Sequence, residues 1–421
     1  MFYSLREDVK IHKNLDENYL SFIVEKTKGI LQVNNSGYEI LSLCNEQYTK
    51  KSIIEELEKK YPNDDLESMV SEFLEPFIQE GIIHLDENYR NIESIKCFGS
   101  RNYYSPYIIM LELTNYCPLD CMHCYLGKKE NSYVSKKDLQ MILKDIADLG
   151  VHYVQLTGGE VLTYPHLEYA IDYLIKNHIQ VNISTSGIIC NDEVLRILSK
   201  IKETGGFIKV SLDGLKHTHD LIRQNNKSFS NAISLLRQAS NLGIKTQVAT
   251  CIVNQNQTEL YNLTKLIKNI GVSEQVFERV YLQGNANSND LQSGYTHNDF
   301  TKLLVYLADE FSDEEFTIST ENTEYAEGDN CGAGYKMYKI SYNLEVTPCI
   351  TMNHSLGNLN KQPFKEIIKE NYEGYKNLQM PCQKICGNCE MLDECEGCIS
   401  KMSQYKNRVK FCRWYEQQAI L

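Results

Sequence analysis

Between residues 107 and 282 short apolar runs alternate with helical patterns at a regular period, and few folds accept that arrangement. The runs YIIMLEL (107–113), HYVQLTG (152–158), QVNIST (180–185), FIKVSL (207–212), KTQVATCIV (245–253) and QVFERVYL (275–282) read as buried strands. Helices fall between them. Ser135 with Asp138 forms a capping signal ahead of Leu139, Ile142, Leu143 and Ile146, and Pro165 opens a helix that turns Leu167, Ile171 and Leu174 inward. Further helices are expected near 192–202, 229–242 and 257–269. Gly150, Gly206, Gly243 and Gly271 lie at helix exits, where a positive φ costs glycine least. Buried strands alternating with helices imply a parallel sheet with right-handed crossovers. Six such units predict an α/β fold built on a partial (βα)6 TIM-like barrel.

The run LELTNYCPLDCMHCYLG places Cys117, Cys121 and Cys124 directly after the first strand. Three thiolates hold three corners of a four-iron cube and leave the fourth iron open to another ligand. With Tyr125 following Cys124, and TGGE at 157–160 following the second strand, the pattern resembles the radical S-adenosylmethionine superfamily. The resemblance implies a [4Fe-4S] cluster on these three cysteines, S-adenosylmethionine on the open iron, and reductive cleavage to a carbon radical. It also implies that Gly158 and Gly159 let the backbone approach the methionine amino group while Glu160 adds a carboxylate. Ser184 and Ser186 resemble positions that contact the ligand's carboxylate and ribose; Tyr125, Ser211, Asp213 and Arg223 complete the expected cofactor surroundings. The same residue types also serve as helix caps, turn residues and surface ion pairs. Thr250, Asn254 and Arg279 are expected to line a substrate space, since a carbon radical needs shielding from water and stray donors.

Eight more cysteines, 331, 349, 382, 386, 389, 395, 398 and 412, gather at the C-terminus. CGAGYKMYKISYNLEVTPC brackets a hairpin with Asn343 near its turn, a helix follows near 363–376, and a last helix carries Cys412. The polarity and cysteine density of this region argue for folding around metal with little hydrocarbon core. The order resembles the SPASM auxiliary-cluster domain of enzymes that mature peptides and sulfatases. Carried over, Cys331, Cys349 and Cys398 fall to one auxiliary iron–sulfur cluster and Cys386, Cys389, Cys395 and Cys412 to a second, with Cys382 left to complete the first. Leu344 stands where the hairpin usually has glycine, and two residues rather than three separate Cys395 from Cys398. One or two auxiliary clusters are therefore expected, and Cys386, Cys389, Cys395 and Cys398 also suit tetrahedral zinc.

Residues 1–90 read as a winged-helix-like domain: paired strands in FIVEKTKGILQV, short helices from NNSGYEILSLCN and TKKSIIEELEKKY, and a third capped by Asp64 or Asp65. That third helix repeats Leu66, Met69, Val70, Phe73, Leu74, Phe77 and Ile78, with Pro76 implying a bend, and IIHL returns as a strand after Gly81. These words resemble the precursor recognition element that binds leader peptides. A DNA-binding winged helix suits it poorly, because residues 65–79 carry Asp65, Glu67, Glu72 and Glu75 and no lysine or arginine. A structural cap is the plainer alternative. The expected boundaries are 1–90, a linker at 91–104, the barrel at 105–325 and the cysteine-rich domain at 326–421.

A net charge of -13 weighs against a nucleic-acid partner, and no apolar run is long enough for a membrane span. The acidic N-terminus lacks a signal peptide's apolar stretch, so the cytoplasm is expected. Fifteen cysteines, eleven of them clustered, are metal ligands there rather than disulfides. Together these features predict a radical S-adenosylmethionine oxidoreductase that modifies a leader-bearing ribosomal precursor peptide, fed by a flavodoxin or ferredoxin-type electron donor. Thioether formation from cysteine sulfur to an α-carbon fits best. Carbon–carbon crosslinking, epimerisation and a non-catalytic peptide-binding electron carrier remain alternatives.

Overall fold

The computed structural model describes residues 1–15, 17–24, 27–62, 65–87, 97–320, 330–395, 398–405 and 409–418. The chain opens with β1 (Phe2–Leu5), β2 (Lys10–Lys13) and a hairpin of β3 (Asn18–Val24) and β4 (Thr27–Val33). Then come α1 (Asn35–Ser42), β5 (Asn45–Thr49), α2 (Lys50–Glu58), α3 (Leu66–Gln79) and β6 (Ile83–Asp86). β1 lies between β5 and β6 in one sheet, while a second has the order β4-β3-β2-β7, where β7 is Cys97–Phe98. The hairpin and three helices match the sequence reading; β1, β2 and β5 do not appear in it. Their apolar signal is hidden because the strand Lys10–Lys13 buries Lys10 and His12.

Asn34 caps α1 through the Gly37 amide, Thr49 and Ser52 make a capping box on α2, and Asp65 caps α3. Asp64, the other expected cap, lies outside the described residues, as do Glu25 and Lys26 of the hairpin, residues 91–96 of the expected linker and the 325/326 boundary. α3 continues through Pro76 to Gln79. Its stripe is narrower than expected: Leu66, Val70, Leu74 and Phe77 are buried, but Met69 is exposed.

The barrel strands are β8 (Ile108–Thr114), β9 (Tyr153–Gly158), β10 (Gln180–Thr185), β11 (Phe207–Ser211), β12 (Lys245–Ile252) and β13 (Glu274–Arg279). All six pair in parallel and in chain order. Between them run α4 (Lys136–Asp148), α5 (Leu167–Lys176), α6 (Asp192–Ser199), α7 (Lys216–Arg223), α8 (Ser228–Asn241) and α9 (Gln257–Ile270). Leu139, Ile142, Leu143 and Ile146 of α4 are all fully buried, each contributing roughly 1.5–3 kcal/mol. α5 starts at Leu167, with His166 rather than Pro165 beside it. Gly206 is also corrected: Gly205 takes the positive φ of 68° at the helix exit. Gly206 is needed for space, since a Cβ there would sit 1.9 Å from the Val181 carbonyl oxygen.

After β13 come α10 (Asn285–Ser288), α11 (His297–Phe311) and β14 (Thr317–Ser319), which pairs with β13. The sheet is extended at its other edge by β15 (Met337–Ile340), parallel to β8, and by β16 (Glu345–Thr347) and β17 (Gly357–Asn358). Among the described residues it therefore has ten strands. The last helices are α12 (Phe364–Lys376), α13 (Gln383–Cys386), α14 (Leu392–Cys395), α15 (Ile399–Tyr405) and α16 (Arg413–Gln418).

The expectation that the C-terminal region lacks a hydrocarbon core is overturned. Tyr338, Ile340, Phe364, Ile367, Ile368, Tyr372, Tyr375 and Trp414 are buried and continuous with the barrel core. Hairpin β15–β16 docks on β8, so this region borrows apolar surface from the barrel instead of building a separate core. Leu344, in the hairpin turn, holds a left-handed φ of 67°. That costs about 1–2 kcal/mol, but its side chain is buried, which returns roughly 1.5–3 kcal/mol. Burial therefore explains why leucine replaces glycine. Among the described residues no helix is long and apolar enough to cross a membrane.

Candidate active site and cysteine groups

The segment carrying Cys117, Cys121 and Cys124 leaves the C-terminal end of β8 and is held from three sides. From β9, the Gly159 amide donates to the Thr114 carbonyl and the Glu160 amide to the Tyr116 carbonyl, both at 2.7 Å. A Cβ on Gly159 would lie 2.2 Å from the Tyr116 oxygen, and one on Gly158 2.3 Å from the Thr114 oxygen. The glycines thus allow two backbones to touch. From α7, the Ile222 carbonyl accepts from the Met122 amide at 2.9 Å. From α10, the Asn285 side chain donates to the Cys121 carbonyl at 3.0 Å, and the Asn285 amide donates to the Cys124 carbonyl at 2.8 Å. Asn289 donates to the Met122 carbonyl at 2.8 Å.

The charged part of the site centres on Asp213, which is fully buried. Arg223 grips it with Nε at 2.7 Å and Nη2 at 3.1 Å, and turns Nη1 to the Cys121 sulfur at 3.7 Å. Burial alone would raise the Asp213 carboxyl, but Arg223, with His123 and His219, outweighs it and holds it at about 2. The Asp213 amide donates to His219 Nδ1 at 3.0 Å, so the ring's proton sits on Nε2, facing Ser228 Oγ at 3.0 Å. Burial keeps that imidazole neutral, lowering it to about 4. Gln255 donates to the Asp213 carbonyl, and the Cys251 amide to Oδ1 at 3.2 Å.

Glu160 is held by four donors of the chain itself. Its Oε1 accepts from Thr185 Oγ1 at 2.6 Å and the Leu162 amide at 3.2 Å, while Oε2 accepts from the Ser186 amide at 2.9 Å and the Ser186 hydroxyl. A carboxylate has about four lone-pair sites, and all are engaged. Glu160 and Ser186 therefore lock the end of β9 to β10. Ser184 accepts from Gln155 at 3.0 Å, and Ser211 is half-buried at the end of β11. The Tyr125 hydroxyl donates to Glu112 at 3.0 Å, and Glu112 lies 3.5 Å from Lys339 of β15. Thr250 is buried and bonded to the Leu212 carbonyl and Gln275, whereas Asn254 is exposed. Arg279 pairs with Glu394 at 2.8 Å.

Sequence reasoning missed His123, His219, Gln255, Glu112, Lys339, Asn285 and Asn289. The HTHD that precedes Arg223 and the NANSN run at 285–289 were the available signals.

The C-terminal thiols sort into two neighbourhoods. Burial pushes Cys398 up to about 12, with Cys349 and Cys331 adding to the rise. Burial likewise raises Cys395 to about 12, with Cys386, Cys389 and Cys412 adding. Cys382, expected beside the first neighbourhood, acts on Cys386: the Cys386 amide donates to the Cys382 carbonyl at 2.8 Å. Among the described residues no three His, Cys, Asp or Glu side chains converge to hold one metal ion. The donor chemistry fits iron–sulfur groups all the same. Cys117 is pushed up to about 12 by burial, so a cation must replace its proton for the thiolate to form, and Arg223 already donates to the neighbouring sulfur.

Comparison with known proteins follows the same three parts. A profile of the radical SAM superfamily matches residues 111–267, one of coenzyme PQQ synthesis protein D (PqqD) matches 23–83, and one of an iron-sulfur cluster-binding domain (SPASM) matches 331–398. The antilisterial bacteriocin subtilosin biosynthesis protein AlbA of Bacillus subtilis is 26% identical over 100% of this chain and 97% of its own length. The sporulation killing factor maturation protein SkfB of the same organism is 24% identical over 71% of this chain and 72% of its own. The crystal structure of Streptococcus suis SuiB bound to precursor peptide SuiA matches with a TM-score of 0.71 at 18% identity, covering 98% of this chain and 99% of that one. The chain is a radical SAM protein with a PqqD-like N-terminal domain and a C-terminal SPASM region, related in sequence to AlbA and SkfB and in fold to SuiB.

Proposed function

We propose that this protein is a radical S-adenosylmethionine enzyme that modifies a ribosomally made precursor peptide, joining a cysteine sulfur to an α-carbon in a thioether crosslink. The observation that carries the proposal is the clamped three-cysteine segment at the strand ends, in a chain aligned from end to end with a bacteriocin biosynthesis protein. In this reading Cys117, Cys121 and Cys124 hold a [4Fe-4S] group that, with S-adenosylmethionine bound, supplies one electron to the sulfonium and so a carbon radical.

The chain's own residues set the conditions. Arg223 steadies the Cys121 sulfur and is itself fixed by Asp213. Glu160, with Thr185 and Ser186, keeps the ends of β9 and β10 together. Gly158, Gly159, Glu160, Ser184, Ser186 and Ser211, at or near strand C-terminal ends, together with Tyr125, are the groups that would surround the cofactor. Cys331, Cys349 and Cys398 would hold one auxiliary cluster and Cys386, Cys389, Cys395 and Cys412 another, groups that would supply an electron sink. Cys382 stands nearer the second. A flavodoxin or ferredoxin-type donor supplies reducing electrons, which places the reaction in the cytoplasm. The leader adds as an extra strand to β4, an edge strand with Ile30 and Leu31 exposed. Held there, it raises the local concentration of the segment to be modified.

The test is anaerobic incubation of the reconstituted protein with S-adenosylmethionine, reductant and a candidate precursor. 5'-Deoxyadenosine together with a peptide lighter by two hydrogens per crosslink is expected, and thiol alkylation then separates thioether from carbon–carbon bonds. Unchanged mass with solvent deuterium would mean epimerisation. Absence of 5'-deoxyadenosine, with C117A behaving as the wild type, would remove the enzymatic reading.

A further inference from the structure

We propose that the buried hydroxyl of Tyr375 donates a hydrogen bond to the iron–sulfur group of Cys331, Cys349 and Cys398 and raises its reduction potential, an inference that rests on the assignment of that group above. Tyr375 lies in the last turn of α12 and is 2% exposed. Among the described residues its hydroxyl oxygen is buried and has no hydrogen-bond partner. A phenol withdrawn from water without an acceptor costs free energy, and a phenylalanine would fill the same space without that cost. The oxygen therefore calls for an acceptor.

Backbone geometry sets the ring beside the first thiol neighbourhood. Asn330, the residue before Cys331, donates from Nδ2 to the carbonyls of Tyr375 at 2.6 Å, Leu378 at 2.8 Å and Lys376 at 3.3 Å, while its Oδ1 accepts from the Gly332 amide at 2.8 Å. One side chain thus ties the exit of α12 to the cysteine loop. The ring rests on Gly334, where an added Cβ would lie 2.4 Å from its Cγ and Cδ1. The Gly334 amide in turn donates to the Met337 carbonyl at 3.0 Å and the Pro348 carbonyl at 3.2 Å, so the turn under the ring links the Cys331 loop to the residue before Cys349. Burial raises the Tyr375 phenol and Cys349 raises it further, which keeps the proton on the oxygen and marks Cys349 as a sulfur close enough to act on it.

Charge on that sulfur makes it the acceptor. A thiol accepts weakly, but when iron replaces the proton of Cys349 the sulfur keeps a negative charge, and a hydroxyl beside it gains a charge-assisted partner. Thr351 approaches the same atom, with Oγ1 3.4 Å from the Cys349 sulfur, and Tyr375 adds a second hydroxyl from α12. Tyr338 of β15 supplies the contrast. Its hydroxyl is also buried without a partner among the described residues, but the groups that act on it are Tyr375 and Tyr372 rather than a cysteine. Hydrogen bonds to cluster sulfurs favour the more negative, reduced state and so raise the potential. That direction suits an electron sink.

Redox titration of the loaded full chain, followed by electron paramagnetic resonance, tests the assignment, with the signal lost in C349A identifying the group. At a solution potential near the midpoint, Y375F should lower the reduced-to-oxidised ratio about threefold or more, with iron content unchanged and Y338F behaving as the wild type. An exchangeable-proton coupling on the same signal, read by electron–nuclear double resonance, should vanish in Y375F alone. An unchanged ratio in Y375F overturns the proposal, and a loss of stability without a shift in ratio leaves the side chain only a packing role. Equal shifts in Y375F and Y338F also overturn it, since a water bridging the two hydroxyls would act that way. C349A with the iron content and spectra of the wild type rejects the ligand assignment beneath the proposal, whereas a shifted ratio in a chain that modifies no peptide rejects the function alone.

Discussion

The two cysteine-bearing regions are held by opposite means. The segment 117–124 is fixed by hydrogen bonds to its backbone and by one buried ion pair, Asp213 with Arg223, that reaches a cysteine sulfur. The C-terminal thiols sit on an apolar layer that includes Ile367, Ile368, Tyr372 and Trp414 and continues the barrel core. The first arrangement sets position and local charge. The second supplies an apolar scaffold continuous with the barrel core, and the two should therefore fail differently.

The largest expected effect tests the charged tether. R223M leaves Asp213 buried without its cation, and about 3–5 kcal/mol of stability should be lost on chemical denaturation. The variant's C-terminal helices should keep their hydrogen-exchange protection until global unfolding.

A pH titration tests the same site more gently. His219 is lowered from 6.5 to about 4 by burial, so the unfolded chain binds the extra proton in that interval. Stability should be complete above pH 6.5 and fall as pH drops toward 4, by on the order of 2–3 kcal/mol. H219Q should flatten this part of the curve; equal slopes in variant and wild type would show that the ring is not held neutral.

On the apolar side, I368V removes one methylene from a fully buried position and should cost about 0.5–1.5 kcal/mol. L344G relieves the left-handed backbone but gives up a buried leucine, so a net loss near ~1 kcal/mol is expected. A gain in melting temperature would reverse that ordering of terms. The smallest effect is predicted for metal removal: chelating iron from the loaded protein should leave amide protection in Phe364–Lys376 nearly unchanged, and melting of that helix would restore a metal-folded domain.

The six barrel strands and their helices were legible because fully buried parallel strands leave uninterrupted apolar runs. The cysteine segments were legible because they are short and close in sequence. β1 and β2 were not, being brief and carrying buried polar residues such as Lys10 and His12; the hairpin that holds β15 was legible, but its pairing with β8 was not. The partners of Glu160, namely Thr185, Ser186 and Leu162, were not legible, because their approach depends on how β9 and β10 end. His219 and Asn285 were invisible as site residues because they act through another residue's backbone or charge.

Local chemistry lies in the order of the residues. The spacing of Cys117, Cys121 and Cys124, the strand–helix alternation and the capping residues are readable from the chain alone, because each depends on neighbours a few positions away. Tertiary structure decided what holds Cys121, where the C-terminal region finds its core, and that Arg279 meets Glu394. Those outcomes join residues a hundred or more positions apart, and burial then determines whether a charge is paired or neutralised.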